Sequence, residues 1–76
     1  MRKKSVFVYD RDTFAHDLRE LREARGISRW SLAKKACISY NTIQLLECGG
    51  RNPSFALLTE VMKVLGVNEI RIEVKS

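Results

Sequence analysis

Histidine and cysteine are scarce in this chain: His16 is the single histidine, and Cys37 and Cys48 are the two cysteines among 76 residues. A zinc site needs three or four such ligands, so no metal or cofactor is expected. Two cysteines outside any CxxC pair fall short of a disulfide framework, and reduced thiols are the expectation. No apolar run approaches the roughly 20 residues of a membrane span. Met-Arg-Lys-Lys followed by Val-Phe-Val-Tyr has too short an apolar stretch for a secretory signal. A soluble, cytoplasmic protein is therefore expected. Internal repeats and low-complexity segments are lacking too, as is any serine or cysteine nucleophile paired by a motif with His16. The sequence does not read as an enzyme, and His16 reads as a surface or strand-packing residue.

What is present is ordinary globular material, 45% hydrophobic and 30% charged, with 14 Lys+Arg against 9 Asp+Glu and a net charge of +5. Such a surplus suits a polyanion, because each neutralised phosphate releases counterions. One domain of this size buries only about 60% of its unfolded surface, so pairing with a second copy would add needed buried area.

Ser5 to Tyr9 is β-branched and aromatic and reads as a strand. Both its faces are apolar, Val6 and Val8 on one and Phe7 and Tyr9 on the other, which predicts cover on both sides. Asp12 or Thr13 can cap a first helix. Phe14, Leu18, Leu21 and Arg25 share one of its faces, with Arg19, Glu20 and Glu23 solvated opposite and Gly26 as the terminator. Ser28 caps a short helix Arg29–Ala36; after a turn at Cys37 and Ile38, Ser39 caps another over Tyr40–Glu47, stopped by Gly49 and Gly50. Arg51-Asn52-Pro53 is a loop, and Ser54 caps a last helix from Phe55 to Leu65, ending at Gly66. Ile70, Ile72 and Val74 then alternate with Arg71, Glu73 and Lys75 as a half-buried strand. The fold class is mainly α: four helices between short N- and C-terminal strands. The parts are a basic arm and strand over 1–11, a helical domain over 12–67 and a terminal strand over 68–76.

The two central helices meet the physical requirements of a helix-turn-helix. Leu32, Ala33 and Ala36 face Ile43 and Leu46, and small Ala33 permits a steep crossing. That geometry pushes the start of the second helix outward, toward a major groove about 12 Å wide. Leu18-x-x-Leu21-Arg22, Gly26-Ile27-Ser28, Leu32-Ala33, Ser39, Thr42-Ile43, Leu46-Glu47, Gly49, Asn52-Pro53-Ser54, Leu58 and Leu65-Gly66-Val67 together resemble the phage-repressor (Cro- and XRE-like, lambda-repressor-like) helix-turn-helix family. The resemblance implies a double-stranded DNA-binding regulator of prokaryotic or phage origin. It places base reading on Tyr40 and Asn41, with Gln44 and Leu45 one turn later. Asn41 or Gln44 can bond adenine bidentately, and Leu45 can cover a thymine methyl. Phosphate contacts are implied for Ser28, Arg29, Ser39, Arg51 and Asn52. Lys34 and Lys35 are either a solvated face or further contacts. Arg22 and Glu47 match an ion pair that ties the first helix to the reading helix.

The chain departs from the family at four places. Cys37 stands where glycine is common, and either bears strain at a positive φ or adopts another turn; a redox role is the alternative. Cys48 replaces a residue that often contacts phosphate. Trp30 occupies a position usually polar and is expected to pack under the N-terminal strand, with a partner contact as the alternative. The chain ends in a strand in place of a fifth helix, as in some antitoxin members. One strand cannot stand alone. Two copies could therefore build a four-stranded sheet through Val6, Val8, Ile70, Ile72 and Val74, supported by Leu57, Val61 and Val64; the competitor is a monomer whose terminal strands pair with each other. The leading expectation is a dimeric repressor on an inverted repeat. An antitoxin with a toxin partner, or an interaction module that has lost DNA binding, are the alternatives.

Overall fold

The computed structural model describes residues 5–72. The elements follow the order β1 (Val6–Tyr9), α1 (Phe14–Ala24), α2 (Arg29–Ala36), α3 (Tyr40–Cys48), α4 (Phe55–Val64) and β2 (Glu69–Ile72). Residues 1–4, the basic arm, and residues 73–76, with Val74, lie outside the described residues. Among the described residues no helix is long and apolar enough to cross a membrane.

Three helices start in the same way. Ser28, Ser39 and Ser54 each hold extended backbone angles, and each hydroxyl accepts from the amide three residues on: Ser31, Thr42 and Leu57, at 3.0, 3.0 and 3.1 Å. A side-chain oxygen thus satisfies a backbone donor that a helix start would otherwise leave open. α1 differs. Thr13 precedes it without a side-chain cap bond, and its hydroxyl donates to Asp17 Oδ2 at 2.7 Å.

The helix ends also share a device. In α1, α2 and α4 the amides of Ile27, Ile38 and Val67 reach back to the carbonyls of Arg22, Ala33 and Met62, at 3.2, 3.0 and 3.0 Å. Each preceding residue is left-handed: Gly26, Cys37 and Gly66, with φ of +69, +59 and +77°. This is the Schellman arrangement, completed by an apolar residue folding back on the core, here Ile27, Ile38 and Val67. Cysteine at position 37 therefore adopts the glycine-like turn rather than replacing it.

The core gathers Phe14 and Leu18 of α1, Leu32, Ala33 and Ala36 of α2, Ile43 and Leu46 of α3, and Leu58, Val61, Met62 and Leu65 from α4 and its end. The face of α1 is shifted from the expected one. It buries Phe14, Leu18 and Arg22, while Leu21 is half-buried and Arg25 exposed. Arg22 turns inward because a buried carboxylate awaits it. Arg25 works at the rim, donating from Nε to Leu65 O at 2.8 Å and from Nη2 to Ser5 Oγ at 3.1 Å.

β1 and β2 pair in parallel, with Val6, Phe7, Val8 and Tyr9 beside Glu69, Ile70, Arg71 and Ile72. Parallel strands require a long crossover, here all four helices. Phe7 is buried and packs edge-on to Phe14, with ring centroids 6.1 Å apart; Tyr9 lies 5.2 Å from the same ring. The expectation of cover on both faces of β1 is corrected: Val6 and Val8 are exposed beside Glu69 and Arg71, whose side chains pair at 2.8 Å. A two-stranded sheet has one layer of helices to lie on, and these occupy its Phe7 side. His16 is a surface residue, 3.5 Å from Glu20.

Left-handed backbone costs a side-chain-bearing residue about 1–2 kcal/mol, partly offset because glycine loses more freedom on folding. Cys37→Gly is therefore expected to stabilise by about 0.5–1 kcal/mol, a rise of about 3–6 °C in melting temperature. A thermal melt followed by circular dichroism checks this, and a lower melting temperature would contradict it.

Candidate functional site

The buried carboxylate of Glu47 fixes α3 against two other helices. Its Oε2 accepts from Arg22 Nε at 2.6 Å, and its Oε1 from Arg22 Nη2 at 3.1 Å and from Arg29 Nε at 3.0 Å. Arg22 is on α1, Arg29 opens α2, and Glu47 lies in the last turn of α3. The Glu47 side chain is 1% exposed and that of Arg22 is 9% exposed, whereas Arg29 is 34% exposed. Paired bonds between a guanidinium and a carboxylate add geometric specificity to the charge attraction. Arg22 also donates from Nη1 to Ile27 O at 2.8 Å, so the same residue holds the turn that leads into α2. Among the described residues no buried side-chain nitrogen or oxygen lacks a partner.

Arg29 extends this cluster to the start of α3. Its hydrogen bonds to Glu47 and then to Tyr40 hold the guanidinium above its ordinary pKa, and it stays charged. Tyr40 is the first residue of α3, and its ring lies 6.4 Å from that of Trp30 at 44°. Trp30 is exposed and does not pack under the N-terminal strand, which corrects the expectation for it. The aromatic residues of β1, Phe7 and Tyr9, meet Phe14 of α1, whereas the ring neighbour of Trp30 is Tyr40 of α3.

The residues expected to read bases lie on α3 as a graded series. Tyr40, Asn41 and Gln44 are exposed, and Leu45 is half-buried. Leu45 leans toward the end of the helix, where a side chain at Gly50 would meet its Cδ2 at 3.2 Å. Gly49 is left-handed with φ +81°, and the amide of Gly50 donates to Leu45 O at 2.9 Å. Ser39 caps α3 while its hydroxyl also lies 2.7 Å from Thr42 Oγ1. Cys48 is the last residue of α3, its thiol directed at Leu45 O at 3.6 Å.

Two clefts flank α3. One, of about 450 Å³, lies at its N-terminal end and includes Ser28, Arg19, Arg29, Trp30 and Tyr40 in its lining. The other, of about 270 Å³, lies toward its C-terminal end and gathers Arg11, Arg51, Asn52 and the backbone at Gly49. The expected phosphate residues thus divide between the two ends of the helix. Arg11, which sequence reasoning left in the N-terminal strand segment, joins Arg51. Only the fold brings positions 40 residues apart together, and no local signal marks Arg11. The apolar residues Val6, Val8 and Ile72 are exposed on the sheet, Ile70 is half-buried beneath it, and Leu57 and Val64 are half-buried on α4.

Loss of Glu47 would leave the Arg22 guanidinium buried without its counter-charge. Glu47→Ala is expected to destabilise the fold by about 3 kcal/mol or more. Urea unfolding measures this directly, and a change below about 1 kcal/mol would show that the pair contributes little.

The helix-turn-helix family profile matches residues 18–72. No curated protein sequence matches the chain. Among solved structures, the restriction-modification controller protein C.AhdI from Aeromonas hydrophila is 30% identical, with a TM-score of 0.73 over 78% of this chain and 89% of that one. The clp gene regulator ClgR from C. glutamicum is also 30% identical, with a TM-score of 0.71 over 75% of this chain and 73% of that one. With four helices in the same arrangement and the family profile running from α1 into β2, this chain belongs to the Cro/C1-type helix-turn-helix family of DNA-binding transcription regulators.

Proposed function

We propose that the protein is a sequence-specific cytoplasmic repressor that inserts the N-terminal half of α3 into the major groove of an inverted-repeat operator. The observation that carries this reading is the exposed, polar start of α3 between two arginine-lined clefts. A helix lying in the groove has a sugar–phosphate strand on either side, so cations at both ends suit it. Asn41 and Gln44 present amides able to bond adenine, Leu45 offers a methyl-sized apolar contact, and Tyr40 meets the groove edge. Ser28, Ser39, Arg51 and Asn52 serve as phosphate contacts, with Arg11 added to them. Arg29 gives its Nε to Glu47, and a guanidinium has five N–H donors, so others remain for a phosphate.

The open edges of the sheet support dimerisation. Each strand of a two-stranded sheet keeps one open edge, and an open edge is a template for another strand. A second copy adding its own strands, with Val6, Val8, Ile70 and Ile72 at the junction and Leu57 and Val64 beneath, builds the four-stranded sheet; Val74, expected at the same junction, lies outside the described residues. The two reading helices would then sit about 34 Å apart, one turn of duplex. Similarity to a restriction-modification controller and a gene regulator supports a role in controlling transcription, and occupancy of a promoter is the simplest means of repression.

Selection from random duplex DNA at low and moderate salt tests the reading. A two-fold symmetric site is expected. Binding without sequence preference that vanishes as salt rises would overturn it. Asn41→Ala or Gln44→Ala is expected to relax preference at one base pair by about 1–3 kcal/mol, whereas Arg51→Ala should weaken all sequences alike and reduce the salt slope by about 1. For assembly, sedimentation at micromolar concentration should give twice the 8.8 kDa chain mass; a clean species at the chain mass would exclude the dimer.

A further inference from the structure

Trp30 has no part in the reading above, yet it is 66% exposed at the mouth of the N-terminal cleft. With Tyr40 it forms neighbouring exposed aromatic surface, and contiguous apolar surface left in water marks an interaction site. Within the chain the indole's ring neighbour is Tyr40, at 6.4 Å. A third exposed aromatic, Phe55, lies on α4 beside a mainly apolar cleft with Met62, Val67 and Ile70. Charge separates the two. The lining of the Trp30 cleft has three arginines and one acid, Glu23, which Arg19 and Arg22 already approach at 3.5 and 3.9 Å. Behind it, Glu47 is engaged by Arg22 and Arg29.

A cationic hollow with an aromatic wall matches a sugar–phosphate link: oxygens accept from guanidinium and hydroxyl groups, and the carbon face of the sugar packs on a ring. The indole N–H donates and accepts nothing, which suits a phosphate oxygen, and tryptophan joins an apolar body to that polar handle. Trp30 also adjoins Tyr40, so the cleft is continuous with the reading end of α3.

We propose that Trp30 is a DNA-backbone contact, its indole packing over a deoxyribose beside the phosphate held at Ser28 and Arg29. The proposal rests on the DNA-binding reading. Because the contact carries no charge, it adds affinity without adding to counterion release.

Trp30 is the only tryptophan in the chain, so its emission reports this site alone. The test follows the full chain binding the selected duplex, by anisotropy of labelled DNA and by tryptophan emission, over a range of salt. Emission should change in step with anisotropy. Trp30→Ala should weaken binding about tenfold at every salt concentration, with the slope of log Kd against log salt and the melting temperature unchanged. Trp30→Phe, which keeps a ring, should recover most of the loss. A Trp30→Ala variant that binds as tightly as the parent overturns the proposal while leaving the DNA-binding reading intact. So does one whose affinity falls only because its melting temperature falls. If the parent shifts anisotropy at no salt concentration with any selected or mixed duplex, both fall together.

Discussion

The orientation of α3 depends above all on the carboxylate of Glu47. A buried charge is tolerable only when its counter-charges are close and well aligned, and Glu47 meets that demand with arginines from two other helices. The apolar contacts of Leu32, Ala33, Ile43 and Leu46 are strong but carry little directional information. The ion cluster supplies direction: it fixes the rotation of α3 about its own axis and hence which side chains face outward. Tyr40 is joined to the same cluster through Arg29. The outward face of α3 is therefore specified from the inside of the molecule.

Local chemistry made most of the fold legible. A serine before each of three helices and a glycine after most of them act within a few residues, so Ser28, Ser39, Ser54, Gly26 and Gly66 can be read without knowing the tertiary structure. Long-range chemistry was less accessible. Arg22 falls on the buried face of α1 although periodicity favours Leu21 and Arg25, because its partner is 25 residues away. Only the family resemblance pointed to that pair. The bond from Arg29 to the same carboxylate carries no signal in the sequence, since any arginine opening a helix near an anion site looks equally suited to phosphate. Trp30 illustrates the reverse error. Its size argued for burial, yet its ring neighbour is Tyr40 and most of its surface is in water.

The terminal strands show a third limit. Their residue types identify them as strands, and Phe7 and Ile70 identify the inner face. Orientation and partner follow from where the helical domain leaves its two ends. Asn68 and Glu69 amides both meet Ser5 O, while Ser5 N meets Asn68 Oδ1, so the sheet begins at a fixed register that no alternation pattern encodes.

That register also orders events in time. The bond between Ser5 and Asn68 spans 63 residues, almost the whole described chain. A contact so remote must close a long loop, and the entropy of that closure is recovered only once the intervening chain is compact. The helices, whose caps and Schellman turns are local, can form beforehand and bring the ends within reach. On this ground the sheet is expected to assemble after the helices. A probe placed in the sheet would thus report on the assembly of the whole described chain.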